Sequence, residues 1–330
     1  MILGYLFALL TILFRRNRGI LASMSTTELA LTSIDLHLDA SASALGELRS
    51  STDVVDDPAV LGERMREEGY LFLRGYLDAD EVLEARAEIT RRLAGHGLLD
   101  ENYPAIEAVS KPGAVSPSFD VLTENNRPLK RLLYAGRMMA LHERLLVGAV
   151  RHYDFTWLRA VPGGGKGVYP HCDVVYMGRG TWNLLTAWTP LGDVPFDVGG
   201  LMILEDSHRK AAKLRRYLGR DVDAYCTNYP DAAEIESGKK LWQNWDGRLS
   251  SDPVALREKL GGRWLTTEFR AGDVLTFTMG TIHASLDNHS NRFRISSDSR
   301  YQLASEPIDE RWIGDKPVGH GPAGKKGKIC

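Results

Sequence analysis

His171, Cys172 and Asp173 carry the first chemical signal in the chain. Read as a strand, residues i and i+2 share a face, so the His171 imidazole and the Asp173 carboxylate converge while Cys172 points away. A further imidazole is offered by His283 in GTIHASLDN, directly after the alternating segment GDVLTFTM. Two histidines and one carboxylate on one face of a metal ion leave positions open, a ligand set that suits iron(II) meeting a co-substrate and O2. On its own His-x-Asp is a weak signal, because a lone histidine is more often a satisfied polar residue than a ligand. The segment NRFRISSDSRY strengthens it by placing Arg292 and Arg294 on a strand close behind His283. A guanidinium pairs bidentately with a carboxylate, so one of the two could hold the far end of a keto diacid whose near end chelates the metal. Strand parity puts both arginines on one face and leaves the choice open; the bland alternative is a surface ion pair with Asp287 or Asp298.

Positioning such a site requires a rigid frame. Residues 58–68 have helical character, Tyr70–Leu73 reads as a short strand, and Asp78 caps a helix to about Leu93, ended by Gly95 and Gly97. A second helical stretch from Leu129 to about Val150 has the spacing to pack as a support layer on a sheet. From Tyr153 onward short strands alternate with Gly, Pro and Asp punctuation, in FTWLRAVPGGG, HCDVVYMG, TWNLLTAWTPLGD, GGLMILEDSH, GDVLTFTMG and FRISSDSRYQLA. Many short strands predict a sandwich or barrel. Residues 208–264 interrupt them as a polar insert bearing Tyr217, Tyr225, Tyr229, Trp242 and Trp245, and such inserts often cover a site. Trp157, Trp182 and Trp188 read as core, and His208 and His289 as turn residues. The expected organisation is an apolar extension and loosely ordered lead-in over 1–57, one catalytic domain over 58–305, and a disordered Gly- and Lys-rich tail over 306–330.

Bulk properties exclude several classes. The 330 residues are 43% hydrophobic and 25% charged, as in ordinary globular proteins. With 41 basic against 43 acidic residues there is no field to gather phosphate backbones, so nucleic acid is not an expected partner. Cys172, Cys226 and Cys330 are sparse and include no close pair, which predicts neither a structural zinc site nor a disulfide scaffold and fits a reducing cytoplasm. Met1–Phe14 is apolar but short of the ~20 residues that span a bilayer, and its arginines follow the run rather than precede it, unlike a signal peptide. Residues 1–23 read as an upstream extension, with membrane anchoring by residues 1–14 the weaker alternative. Oligomeric state is not legible.

Taken together, these segments resemble the phytanoyl-CoA dioxygenase family of iron(II)/2-oxoglutarate oxygenases. The resemblance runs from roughly Glu67 to Gln302, through EEGYLFLRGYLDADEV, HCD, TAWTPLGD, GGLMILEDSHR and GTIHASLDNHSNRFRISSDSRYQ. It implies a double-stranded β-helix, the cupin-type jelly roll, mainly β with helices packed outside one sheet. It implies iron(II) held by His171, Asp173 and His283, with 2-oxoglutarate and O2 as co-substrates. The family's 2-oxoglutarate arginine lies eleven positions beyond the second histidine, which selects Arg294 over Arg292. A hydroxyl two positions after that histidine contacts the same carboxylate, and Ser285 matches it. Arg159 falls near where relatives place a polar residue facing the co-substrate. Where the family commonly reads Pro-Gly-Ser-His, this chain has Glu205-Asp206-Ser207-His208, a change to a turn and not to a ligand.

The implied activity is hydroxylation of a small organic substrate (a lipid, an acyl-CoA ester or a secondary metabolite) with release of succinate and CO2. The carboxylate at position 173 argues against a halogenase, since chloride-binding relatives have a small residue there. Desaturation, epimerisation or ring formation by the same family, a non-oxidative cupin-like metal or ligand-binding protein, and a structural protein with a vestigial site are the competing readings. Arg294 speaks against the non-oxidative one.

Overall fold

A computed structural model describes residues 30–330; residues 1–29, and with them the whole apolar extension and the question of membrane anchoring, lie outside the described residues. In chain order the strands are β1 Thr32–Ser33, β2 Leu36–His37, β3 Leu45–Glu47, β4 Tyr70–Leu73, β5 Val150–His152, β6 Trp157–Val161, β7 Leu184–Pro190, β8 Leu201–Leu204, β9 Ala224–Cys226, β10 Trp264–Thr266, β11 Val274–Thr278, β12 His283–Ser285, β13 Arg294–Leu303 and β14 Lys326–Lys328. The α-helices are α1 Pro58–Glu68, α2 Ala79–Gly95, α3 Phe119–Thr123, α4 Arg127–Tyr134, α5 Gly136–Leu146, α6 Val174–Met177, α7 Ala211–Leu218, α8 Ala232–Glu236 and α9 Pro253–Leu260.

Two sheets make the jelly-roll core. The larger has the order β4-β11-β7-β13-β5 with β6 also paired to β13, and the smaller the order β12-β8-β10-β3. Alternation along β13 explains why the core has a polar interior: Arg294, Ser296, Asp298 and Arg300 share one strand face, and Ile295 and Tyr301 lie on the other. Ile295 joins Leu158, Ala160 and Ala187 in an apolar layer against Val82, Ala85 and Ile89 of α2 and Leu129 and Leu132 of α4. Away from that polar row, the space between the sheets is filled by Phe72, Ile203, Leu265, Phe269, Leu275 and Phe277. The packed apolar part fixes the sheets relative to each other, and the polar part is left to do chemistry.

Local sequence sets the helical support. Asp57 and Asp78 accept backbone N–H groups at the starts of α1 and α2, and Pro58 opens α1 where a missing N–H costs nothing. The single helix expected from Leu129 is two, because Ala135 is extended and Gly136 takes a positive φ of 52°. Within α5, His142 is fully buried, stacked on Tyr301 with centroids 3.8 Å apart, and within hydrogen-bond reach of the Met138 carbonyl at 2.8 Å. Burial pushes its pKa down from 6.5 to about 4. The folded chain therefore refuses a proton that the unfolded chain accepts, so stability falls as pH drops from about 6.5 to about 4 and is unaffected above that window. The integrated loss is roughly 3 kcal/mol. Denaturant unfolding of wild type and His142→Phe at pH 7.0, 5.5 and 4.5 checks this; the variant should lose less stability on acidification, and equal losses would contradict it.

Three expectations at the margins are corrected. The described part of the lead-in, from residue 30 onward, is ordered: β3 forms the parallel edge of the small sheet, and Asp287 accepts the backbone N–H groups of Ile34 and Asp35 and the Thr32 hydroxyl. The tail expected to be disordered is also folded. Trp312 is fully buried, β14 pairs in parallel with β9, and buried Asp223 receives Arg311, His320 at 2.8 Å and Lys325 at 2.7 Å. Together these put 31–330, not 58–305, into one compact unit. The cysteines, expected to form no disulfide scaffold, include a Cys226–Cys330 disulfide across a separation of 104 residues. Anchors for both ends come from distant segments, so neither local composition nor cysteine spacing displays them.

Candidate active site

His171 and His283 are held side by side by backbone. Each donates its N–H to the other's carbonyl, at 3.1 and 3.0 Å, in an isolated antiparallel bridge, and their ring centroids lie 4.2 Å apart. The segment HCD is not the strand expected from alternation: Asp173 sits at the N-cap of α6 with helical backbone angles. The convergence expected of a strand is reached instead by this turn. Asp173 Oδ1 is 3.7 Å from His171 Nε2 and 3.6 Å from His283 Nε2. One ligand atom from each of the three residues lies within 4.8 Å of the others, and all three residues are buried.

Hydrogen bonds settle which ring nitrogens face the gap. His171 Nδ1 is 2.7 Å from the Tyr169 carbonyl and His283 Nδ1 is 3.1 Å from the Thr281 carbonyl. A carbonyl can only accept, so Nδ1 carries the proton in each ring and Nε2 presents a lone pair. Burial, and then the neighbouring His283, push the His171 pKa down to about 3, which keeps that lone pair free. Burial works against charge on Asp173, but the Arg300 guanidinium foremost outweighs it and holds the carboxyl ionised, well below its usual range. Two imidazole nitrogens and one carboxylate, all aimed at one buried point, fit a divalent transition-metal ion.

Beside this triad lies a site lacking an acceptor. Arg294 is buried, and its Nη1 donates to the Gly199 and Leu286 carbonyls, yet its Nε has no hydrogen-bond partner among the described residues. Gly199 has a φ of +82°, and a Cβ there would fall 2.3 Å from the Asp287 carbonyl oxygen, so glycine is required for this approach. The Ser285 hydroxyl accepts the Val168 N–H at 2.8 Å, which leaves its own proton for an acceptor. Both side chains line the cavity that holds the triad. Burial, and then Arg159, lower the Arg294 pKa to about 10. An unpaired buried guanidinium next to a free hydroxyl is a receptor for a carboxylate.

Arg159 lines the same cavity, part exposed, with its Nε on Asp298 at 3.1 Å. Arg292 does not: it is exposed and pairs with Glu107 at 3.3 Å. Cys172 is buried away from the triad, and its backbone N–H donates to Tyr217, whose hydroxyl donates to the Gly247 carbonyl. The 208–264 insert thus buttresses the HCD turn, and it also packs Leu214, Leu218, Leu256 and Leu260 in one apolar cluster with Met202, Leu204 and Trp264 of the small sheet. His208 and His289 do not line the cavity. Trp157 and Trp188 are buried as expected, whereas Trp182 is 57% exposed and is not core. Sequence reasoning missed Thr186 and Arg300, both of which contact Asp173. Arg300 follows Arg294 at even spacing along β13, a parity that was available; its partner comes from another segment and was not.

The family model described as phytanoyl-CoA dioxygenase matches residues 65–296. A 1-deoxypentalenic acid 11-beta-hydroxylase of Streptomyces exfoliatus is 24% identical over 280 residues, which is 79% of this chain and 87% of that protein. Among solved structures, EctD from S. alaskensis with 2-oxoglutarate and 5-hydroxyectoine has a TM-score of 0.53 at 17% identity, covering 93% of this chain and 99% of that one. The epimerase SnoN in complex with Fe3+, alpha ketoglutarate and nogalamycin RO has a TM-score of 0.51 at 24% identity, covering 80% and 95%. The two structures establish the shared fold.

Proposed function

Because the chain belongs to the phytanoyl-CoA dioxygenase family, and so uses iron(II), 2-oxoglutarate and O2, we propose that His171, Asp173 and His283 hold the iron and that Arg294 and Ser285 hold the distal carboxylate of 2-oxoglutarate. One observation carries this reading: two histidine lone pairs and one carboxylate oxygen meet at a buried point beside a guanidinium with an unused N–H. When bound, the iron and the keto acid together supply O2 activation, coupled to oxidative decarboxylation to succinate and CO2.

The chain's own part is to bind, orient and exclude water. Tyr169 and Thr281 fix the two imidazole tautomers through their carbonyls. Arg294 and Ser285 place the keto acid so that its near end points at the triad. Arg159, braced by Asp298, is proposed to face that near end from the cavity wall. A keto acid bound among these side chains would fill their small residual space and leave little room for water beside the triad.

Hydroxylation of a small organic substrate, a lipid, acyl-CoA ester or secondary metabolite, is the proposed outcome; the 1-deoxypentalenic acid 11-beta-hydroxylases of two Streptomyces species support it over desaturation, epimerisation or ring formation. No nucleic-acid partner is proposed, given 41 basic against 43 acidic residues. No described helix is long and apolar enough to cross a membrane. A cytoplasmic setting is proposed, where the Cys226–Cys330 bridge is open to reduction. The test is direct: purified protein given iron(II), 2-oxoglutarate and air should release succinate, and a screen of metabolite extracts should find one that raises the yield and gains one oxygen atom. Absence of succinate with every extract would count against the proposal.

A further inference from the structure

The two oxygens of Asp173 face different partners. Oδ1 is the atom near both histidine Nε2 atoms. Oδ2 is turned away and receives Arg300 Nη2 at 3.0 Å together with the Thr186 hydroxyl. Arg300 comes from β13 and Thr186 from β7, strands paired directly at these two residues, so the donors are fixed relative to each other. The Arg300 side chain is only 3% exposed and lies over the Trp157 ring, 4.4 Å from its centroid.

A purely structural role fits this arrangement poorly. A buried arginine that serves stability normally spends its planar fork bidentately and satisfies its remaining donors. Here one nitrogen donates to one carboxylate oxygen, while Nε and Nη1 have no partner among the described residues. Leaving buried donors unmade is costly, so the placement of the one bond that is made needs a reason. A carboxylate can bind a metal through one oxygen or two. A metal held by these three residues that must also accept both donor atoms of a chelating keto acid would be served by one aspartate oxygen and not two.

We infer that Arg300, assisted by Thr186, is a positioning residue that occupies Asp173 Oδ2 and confines the aspartate to one-oxygen presentation, keeping a position open for the keto acid. The inference rests on the assignment of Asp173 as an iron ligand. It gives the polar row on β13 two functions at its two ends, with Arg294 directed at 2-oxoglutarate and Arg300 directed at the metal's own ligand.

The experiment uses the full chain and no turnover. Under anaerobic conditions, wild type, Arg300→Leu, Arg300→Lys and Thr186→Val are saturated with iron(II) and titrated with 2-oxoglutarate while the visible charge-transfer band is recorded. Arg300→Leu should need roughly 10- to 100-fold more 2-oxoglutarate to develop the band, and the band should shift, as expected when an outer-shell partner is lost. Arg300→Lys, which still offers a donor to Oδ2, should recover most of the affinity, and Thr186→Val should move in the same direction as Arg300→Leu by less. If Arg300→Leu does not fold, Arg300→Met, which also removes every donor, is judged by the same criterion. Wild-type midpoint and band position in the leucine or methionine variant would overturn the role of Arg300. Absence of any band in wild type would instead overturn the iron site, and this role with it.

Discussion

Asp173→Ala should lose iron(II) binding and 2-oxoglutarate turnover altogether, and should also lower the stability of the metal-free protein. The first effect follows from removing one of three ligands, and should exceed the roughly 10- to 100-fold losses typical of outer-shell changes. The second follows from Arg300, which keeps a buried positive charge with its partner gone; breaking one side of a buried pair costs about 3–5 kcal/mol. His171→Ala separates the two effects. It removes a neutral ring, so it should abolish iron binding as fully while leaving no buried charge uncompensated. Thermal unfolding with and without iron(II) reads both at once. Wild type should gain about 2.7 kcal/mol at an iron concentration 100 times its dissociation constant, and neither variant should gain. An iron-dependent shift of wild-type size in either variant would remove that residue from the ligand set.

Arg294→Leu should raise the 2-oxoglutarate KM by roughly 100-fold, since charge-assisted hydrogen bonds are worth about 1.5–3 kcal/mol each. The same change should leave the free protein as stable as wild type, or more so. Arg294 has no ion-pair partner among the described residues, and burial has lowered its pKa from 12.5 to about 10. A cation whose folded pKa is depressed costs stability at every pH below that value, here on the order of 3 kcal/mol, and the cost disappears with the charge. Lost packing of the side-chain stem offsets part of the gain. The two readouts, KM for 2-oxoglutarate and the denaturation midpoint of the ligand-free protein, should therefore move independently. A variant with unchanged KM, or one strongly destabilised without ligand, would show that Arg294 serves the fold and not the co-substrate.

Much of the site was legible because its signals are short-range. The His171 to Asp173 spacing and the histidine after an alternating strand lie within single segments, whereas parity left Arg292 and Arg294 open and only the family resemblance selected Arg294 and Ser285; the structure places His171, Asp173, His283, Arg294 and Ser285 around one cavity. Even a wrong local assignment did little harm, since a helix-capping turn brings His171 and Asp173 together as a strand would have. What stayed hidden depends on contacts between segments. Arg300 acquires its meaning only from Asp173, 127 residues away. Likewise the tail looks solvated by composition, yet Asp223 in the insert and Cys226 beside it hold it in place. Trp182 erred in the other direction: an aromatic residue flanked by polar neighbours reads as half of a buried alternation, but it precedes β7 and remains in solvent.

The central claim is that one metal ion sits among His171, Asp173 and His283 with 2-oxoglutarate anchored on Arg294. Crystals grown anaerobically with iron(II) and 2-oxoglutarate, with diffraction recorded on both sides of the iron absorption edge, address it without reference to turnover. The account predicts a single anomalous peak at coordination distance, roughly 2 Å, from His171 Nε2, Asp173 Oδ1 and His283 Nε2, and a keto acid whose far carboxylate meets Arg294 and Ser285. Iron bound elsewhere, or a keto acid that leaves the Arg294 guanidinium untouched, would contradict it.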